Sequence, residues 1–179
     1  MLVSTERKYS GRVIHLDHDK VSFPDGSVGT LEMIRHPGAA AVVPMVDRPT
    51  DANPRILLIR QFRHAANDFI WEVPAGTLGP GESPDDCARR ELVEEAGCRA
   101  GTLKRLTSVF TTPGFTDEII HLYLAWDLIR GREQPEADEF LTVHEFPWSK
   151  IGQMIRAGEI KDAKSLTALM FVQNFARHA

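Results

Sequence analysis

Apolar positions in this 179-residue chain fall into many short runs of period two and a few stretches of period near 3.6, so strands outnumber helices. Gly11 to Leu16, Lys20 to Phe23 and Val28 to Arg35 read as short strands, with Pro24-Asp25-Gly26 as the turn between the last two. Three strands bury little by themselves, so this piece must lean on the rest of the chain or on a second subunit. His36-Pro37-Gly38 breaks the pattern. It divides a small N-terminal antiparallel β subdomain, residues 1–37, from a main domain, residues 38–179.

Past that break, Ala39 to Val46 and Arg55 to Phe62 are runs rich in Val, Ile and Leu, the mark of central strands. Phe69 to Val73 is a shorter strand closed by Pro74-Ala75-Gly76. Pro84 to Ala96 has no internal Gly or Pro, with Ser83 at the N-cap, Pro84 at N1, Asp86 three places after the cap and Gly97 as the stop. Leu103 to Thr111, Ile119 to Asp127 and Phe140 to Phe146 alternate as strands. Trp148 to Ala157 reads as a helix, and Lys164 to Arg177 spaces its apolar residues by three and four, as an amphipathic helix does. Strands mixed with two or three helices, without regular βαβ alternation, predict an α/β sandwich around a mixed sheet.

Composition narrows the function classes. With 42% apolar and 26% charged residues the chain can build a core without disulfides or a structural metal. Cys87 and Cys98 have no metal-binding spacing and are expected to be reduced, partly buried thiols. No uncharged apolar run approaches ~18 residues, and the start lacks the apolar core of a secretory signal, so a cytoplasmic protein with no membrane partner is expected. The formal charge of −4 argues against nucleic acid. A small phosphorylated ligand needs only a few placed arginines and metal ions.

The stretch from Gly76 to Cys98 carries the chemistry. Its helix sets Glu91 and Glu95 four residues apart with Glu94 in the same arc, and Glu82 precedes it in a turn containing Gly79 and Gly81. Like charges so spaced repel one another and destabilise a bare helix. A solvated acidic face is the ordinary fate of such glutamates. The turn that folds Glu82 back toward them favours a converging set instead, which requires a counter-charge such as a hard divalent cation.

These residues resemble the signature of the Nudix hydrolase superfamily. Gly76, Glu82, Arg90, Glu91, Glu94, Glu95 and Gly97 fill its fixed places, Leu92 the aliphatic one, and Cys98 stands where a larger aliphatic residue is usual. The resemblance implies a Nudix-type α/β/α sandwich and a Mg²⁺-dependent, or Mn²⁺-dependent, hydrolase of nucleoside diphosphates linked to another group. It implies Glu91 and Glu95 as principal metal ligands, with Glu94 and Glu82 as further ligands or water-positioning groups and the Ala75 carbonyl as another oxygen ligand; Glu82 and Glu95 also count among the catalytic residues. Arg90 either holds a glutamate in place or pairs with Glu94 on the helix surface.

Beyond the signature, Pro113 in Thr112-Pro113-Gly114-Phe115-Thr116-Asp117-Glu118, together with the segments ending His36-Pro37-Gly38, at Asp138-Glu139-Phe140 and at Gly158 to Ala163, resembles the ADP-ribose pyrophosphatase branch. That branch implies cleavage of ADP-ribose to AMP and ribose 5-phosphate, and a homodimer that exchanges its N-terminal strands. Another nucleoside diphosphate sugar is the alternative substrate, and a sensing module without turnover the alternative class. Arg60 and Arg63 are candidate phosphate contacts, because guanidinium forks match phosphate oxygens. Glu72 and Arg35 are candidates for the ribose or adenine end, and Phe115, Tyr9, Phe23 and Trp71 for an aromatic platform. By analogy with the family Glu139 is the first choice for the general base, with Glu136 and Glu118 behind it.

Overall fold

The computed structural model describes residues 1–132 and 140–177. In chain order its elements are β1 Leu2–Ser10, β2 His15–Ser22, β3 Val28–Arg35, β4 Ala39–Pro44, β5 Arg55–Arg63, β6 Asp68–Glu72, β7 Ala75–Thr77, α1 Pro84–Ala96, β8 Cys98–Phe110, β9 Ile119–Arg130, β10 Leu141–Pro147, α2 Trp148–Arg156 and α3 Ala163–Phe171. A single wider turn of helix, Val172–Ala176, continues α3.

β1, β2 and β3 form an antiparallel sheet in that order. The expected strand at Gly11 to Leu16 is instead mostly the turn between β1 and β2, where the Gly11 N–H donates to the Ile14 carbonyl at 2.9 Å. All nine residues of β1 are exposed, so this strand has no buried face and leaves no period-two signal. Within the sheet Arg35 pairs with Asp17 and Asp19 of β2, and the sheet is tied to the rest of the chain through Asp117 and the backbone bonds of Ile34 to Phe115 and Asp117. Arg35 at the end of β3 reaches Asp17 at 3.1 Å, Asp117 at 3.1 Å and, still closer, Asp19, while the Asp117 carboxylate also accepts the His36 N–H at 2.9 Å.

Two further sheets make the body. One has the order β7-β4-β9-β8, with β4 parallel to β9 and the other pairs antiparallel; the second has the order β10-β5-β6. A bridge between Met45 and Ile56 links them. Alternate residues of the central strands go to opposite cores. Ala40, Val42, Leu57 and Tyr123 pack with Cys87, Ala88 and Leu92 of α1, whereas Ala41, Val43, Leu58, Leu122 and Leu124 pack with Ile151 and Met154 of α2 and Leu169 of α3. Both faces of β4 and the middle of β5 are thus covered, so their sequences read as unbroken apolar runs. Helices on both sides of the strands give the α/β/α sandwich with a mixed sheet.

α1 is held at both ends as the sequence predicts. The Ser83 hydroxyl accepts the Asp86 N–H at 3.2 Å, and Gly97 stands in the left-handed region at φ 60° with its N–H on the carbonyl of Val93. The short strand β7 is not expected from sequence, because three residues after a proline carry no period. Its register places it across the side of α1 that bears the glutamates.

Candidate active site

Glu91 and Glu95 lie on the inward side of α1 among Cys87, Ala88 and Leu92, and both carboxylates are buried. Helical spacing sends i and i+4 to one face, so the residues that fill the core also fix where these charges stand. β7 approaches them closely. A Cβ added at Gly76 would fall 1.8 Å from Oε1 of Glu91, so only glycine lets the backbone pass here. One residue earlier, the Ala75 N–H donates to Oε2 of Glu95 at 2.8 Å.

Arg90 gathers the remaining charges. Its Nε and one terminal nitrogen donate to the two oxygens of Glu82 at 2.8 and 3.0 Å, and its other terminal nitrogen reaches Glu91 at 2.6 Å and Glu94 at 2.8 Å. The sequence left Arg90 between holding one glutamate and pairing on the surface; it holds three. Arg90, helped by the Gly79 N–H at 2.8 Å, pulls the Glu82 carboxyl down to about 2. Repulsion among the glutamates is offset at one point rather than by solvation. Beneath them, burial and the neighbouring Glu91 and Glu82 push the Cys87 thiol up to about 12.

The donor set is all oxygen, which suits a hard divalent cation. Among the described residues no three Asp, Glu, His or Cys side chains stand together as an ion site. Glu91 and Glu94 nevertheless both reach a single cationic nitrogen of Arg90, so two carboxylate oxygens already converge on one positive centre. The residues present therefore fit such an ion once Arg90 yields that place.

Glu82, Glu91 and Glu94 line a cleft of about 1030 Å³, and so do Ala75, Arg63 and Lys164. Arg63 grips Glu72 with two hydrogen bonds, from Nε at 2.7 Å and a terminal nitrogen at 2.9 Å, and Lys164 contacts the same carboxylate. Burial raises the Glu72 carboxyl, but Arg63 and Lys164 outweigh it and hold the group below its ordinary value. Glu72, only 1% exposed and with both oxygens engaged, does not line the cleft. Its placement is that of a counter-ion to Arg63 and Lys164.

Other candidates are scattered. Arg60 is not in the cleft; its guanidinium lies over Trp71 at 5.6 Å and Phe69 at 6.0 Å, because alternation turns it to the face opposite Gln61. Arg35 lines a smaller cleft of about 650 Å³ but is bound by three aspartates. Phe115 is half exposed and lines neither cleft. Glu118 lines the main cleft, accepting from the Thr111 hydroxyl at 2.8 Å. Glu136 and Glu139 lie outside the described residues. Sequence reasoning missed Arg12, Gln61 and Lys164, all of which line the cleft. For Lys164 the available signal was the segment ending Asp162-Ala163, which carries no chemistry until it is folded against β6.

The NUDIX domain pattern matches residues 35–169. The chain belongs to the NUDIX domain family. A relative named ADP-ribose pyrophosphatase, from Bacillus subtilis, is 36% identical over 173 residues, covering 96% of this NUDIX chain and 91% of the relative. Another, named methanol dehydrogenase activator, from Bacillus methanolicus, is 38% identical over 173 residues with the same coverage. Among solved structures, one described as an ADP compounds hydrolase superposes with a TM-score of 0.83 over 99% of this chain and 94% of its own; at 21% identity it supports the fold alone. Members of this family generally need a divalent metal. Among the described residues no helix is long and apolar enough to cross a membrane.

Proposed function

We propose that this NUDIX chain hydrolyses the pyrophosphate bond of ADP-ribose, consuming one water and releasing AMP and ribose 5-phosphate. One observation carries the reading: the complete Gly76 to Gly97 signature folds so that Glu82, Glu91 and Glu94 meet on Arg90 in a cleft that also holds Arg63 and Lys164. A doubly phosphorylated compound fits between carboxylates that gather cations and side chains that are cations. The relative named ADP-ribose pyrophosphatase supports that substrate among nucleoside diphosphate sugars.

Mg²⁺, or Mn²⁺, is the cation assigned to Glu91, Glu94, Glu95, Glu82 and the Ala75 carbonyl. When bound, it neutralises phosphate oxygens and lowers the pKa of water. The protein's own part is placement. β7 fixes Glu91 and Glu95 by backbone contact, Arg90 keeps Glu82 ionised, and Arg63 offers its outer edge to a phosphate oxygen. Glu139 is assigned as the base that accepts the water proton, and Glu118, which lines the cleft, is the second reading. Two reduced cysteines fit a cytoplasmic address. A homodimer built through the N-terminal strands would cover apolar side chains that those strands leave in solvent, among them Leu2, Val3 and Val28.

Turnover of a panel of ADP-, GDP- and UDP-sugars, scored by kcat/KM, tests the reading. ADP-ribose should rank among the best, and a poor rank moves the substrate to another nucleoside diphosphate sugar. Glu95→Gln should lower kcat by about 10²-fold or more with the fold intact; retained turnover would remove the metal-site argument. Glu139→Gln should lower kcat about 10²- to 10⁴-fold, and if Glu118→Gln does so instead, Glu118 is the base.

A further inference from the structure

Glu72 is a carboxylate almost wholly out of solvent, and it is engaged by two cations rather than one. Arg63 alone would neutralise it, through a two-pronged pair that uses both oxygens. Lys164 is shared with Asp162, so two carboxylates and two cations balance within this cluster, and balance alone does not say why both cations face the cleft. Burying ion pairs costs desolvation that a packed apolar group avoids, so stability alone does not explain this set. What distinguishes the two cations from Glu72 is where they stand: both line the cleft, and the carboxylate sits behind them.

The source of Lys164 matters as well. It is the second residue of α3, two places after the N-cap Asp162, whose carboxylate accepts the Ser165 N–H at 2.9 Å. Asp162 also contacts the Lys164 ammonium at 3.1 Å. Ser165, fully buried, accepts the Val73 N–H at 2.8 Å and so ties this turn to the connection between β6 and β7. That connection leads into Ala75 and Gly76, which touch Glu95 and Glu91. The turn at 162–165 is therefore rigidly registered to the glutamates of α1. An ammonium has three donors, and Glu72 and Asp162 take two directions.

We propose that Lys164 binds a phosphate oxygen of the nucleoside diphosphate, and that the buried carboxylate of Glu72 is a positioning residue holding Lys164 and Arg63 at the cleft wall. The inference rests on the hydrolase reading above and adds a substrate contact to it. Arg63 exposes 40% of its side chain while Nε and one terminal nitrogen stay on Glu72, which leaves its remaining N–H groups for the ligand. Lys164, at 14%, presents a narrower point charge beside it.

Calorimetric titration of the full chain with ADP-ribose in EDTA, where no turnover occurs, reads binding apart from chemistry. Lys164→Met keeps the stem and removes the charge. It should weaken Kd about tenfold, or 1.4 kcal/mol, and raise KM in step while kcat with Mg²⁺ stays within about threefold. Lys164→Arg should hold Kd within about threefold of wild type, and Glu72→Gln should move Kd and KM in the same direction as Lys164→Met. Wild-type affinity in both Lys164→Met and Glu72→Gln overturns the inference, as does an equal loss in Lys164→Met and Lys164→Arg, which would mark packing. Should wild type hydrolyse ADP-ribose while these variants bind normally, only this inference falls; should wild type neither bind nor hydrolyse it, the ADP-ribose reading above falls first and takes this one with it.

Discussion

At the residue scale the site is built from opposed charges held too close to be left to solvent. Arg90 is the pivot, since the same guanidinium serves Glu82, Glu91 and Glu94. A pH dependence follows from Glu82, whose folded carboxyl is lowered from 4.5 to about 2 chiefly by Arg90. A lowered folded value stabilises the fold fully above the unfolded pKa and loses that contribution as pH falls through the folded one. The stability gap between wild type and Glu82→Gln, taken from urea midpoints, should therefore be widest near pH 6 and shrink as the pH is lowered from about 4.5 toward 2. A gap that stays constant over that range would show that the pair contributes nothing through ionisation. At this scale the signature was fully legible, because its chemistry sits in one stretch of chain. Lys164 was not, since its partner Glu72 lies on a different element far away in sequence.

At the scale of elements, α1 shows why local rules sufficed. Ser83, Pro84 and Gly97 mark its ends, and its apolar residues select the face that packs on β4 and β5. Because the glutamates ride on that packing, the cap supports the site as well as the helix. Ser83→Ala should cost about 1 kcal/mol of unfolding free energy, read by urea denaturation, and should weaken metal affinity no more than that loss explains. A much larger loss in affinity would mean that the cap holds Glu82 directly. β1 and β7 show the opposite case. The first has no buried face and the second is three residues long, so neither leaves a pattern, and each exists through hydrogen bonds to a neighbour the sequence does not name.

At the scale of the whole molecule, the N-terminal sheet meets the body where β3 ends, through the Arg35–Asp117 pair and the backbone bonds of Ile34 to Phe115 and Asp117, and it carries apolar side chains in solvent. The proposed homodimer would cover those side chains. Light scattering should give twice the 20.0 kDa chain mass, and Leu2→Asp combined with Val28→Asp should return it to that of one chain. A wild-type protein with the mass of a single chain would end the dimer assignment. Taken alone, the order of residues determined the central strands, the capped helix and the run of glutamates, because burial on two faces, capping and helical spacing are local in sequence. Folding alone decided that Arg63 and Lys164 share Glu72, that Arg60 and Phe115 stand away from the cleft, and that Gly76 must admit Glu91. Those facts depend on which side chains from distant segments meet, and contacts of that kind are set by packing between elements rather than by any pattern within one.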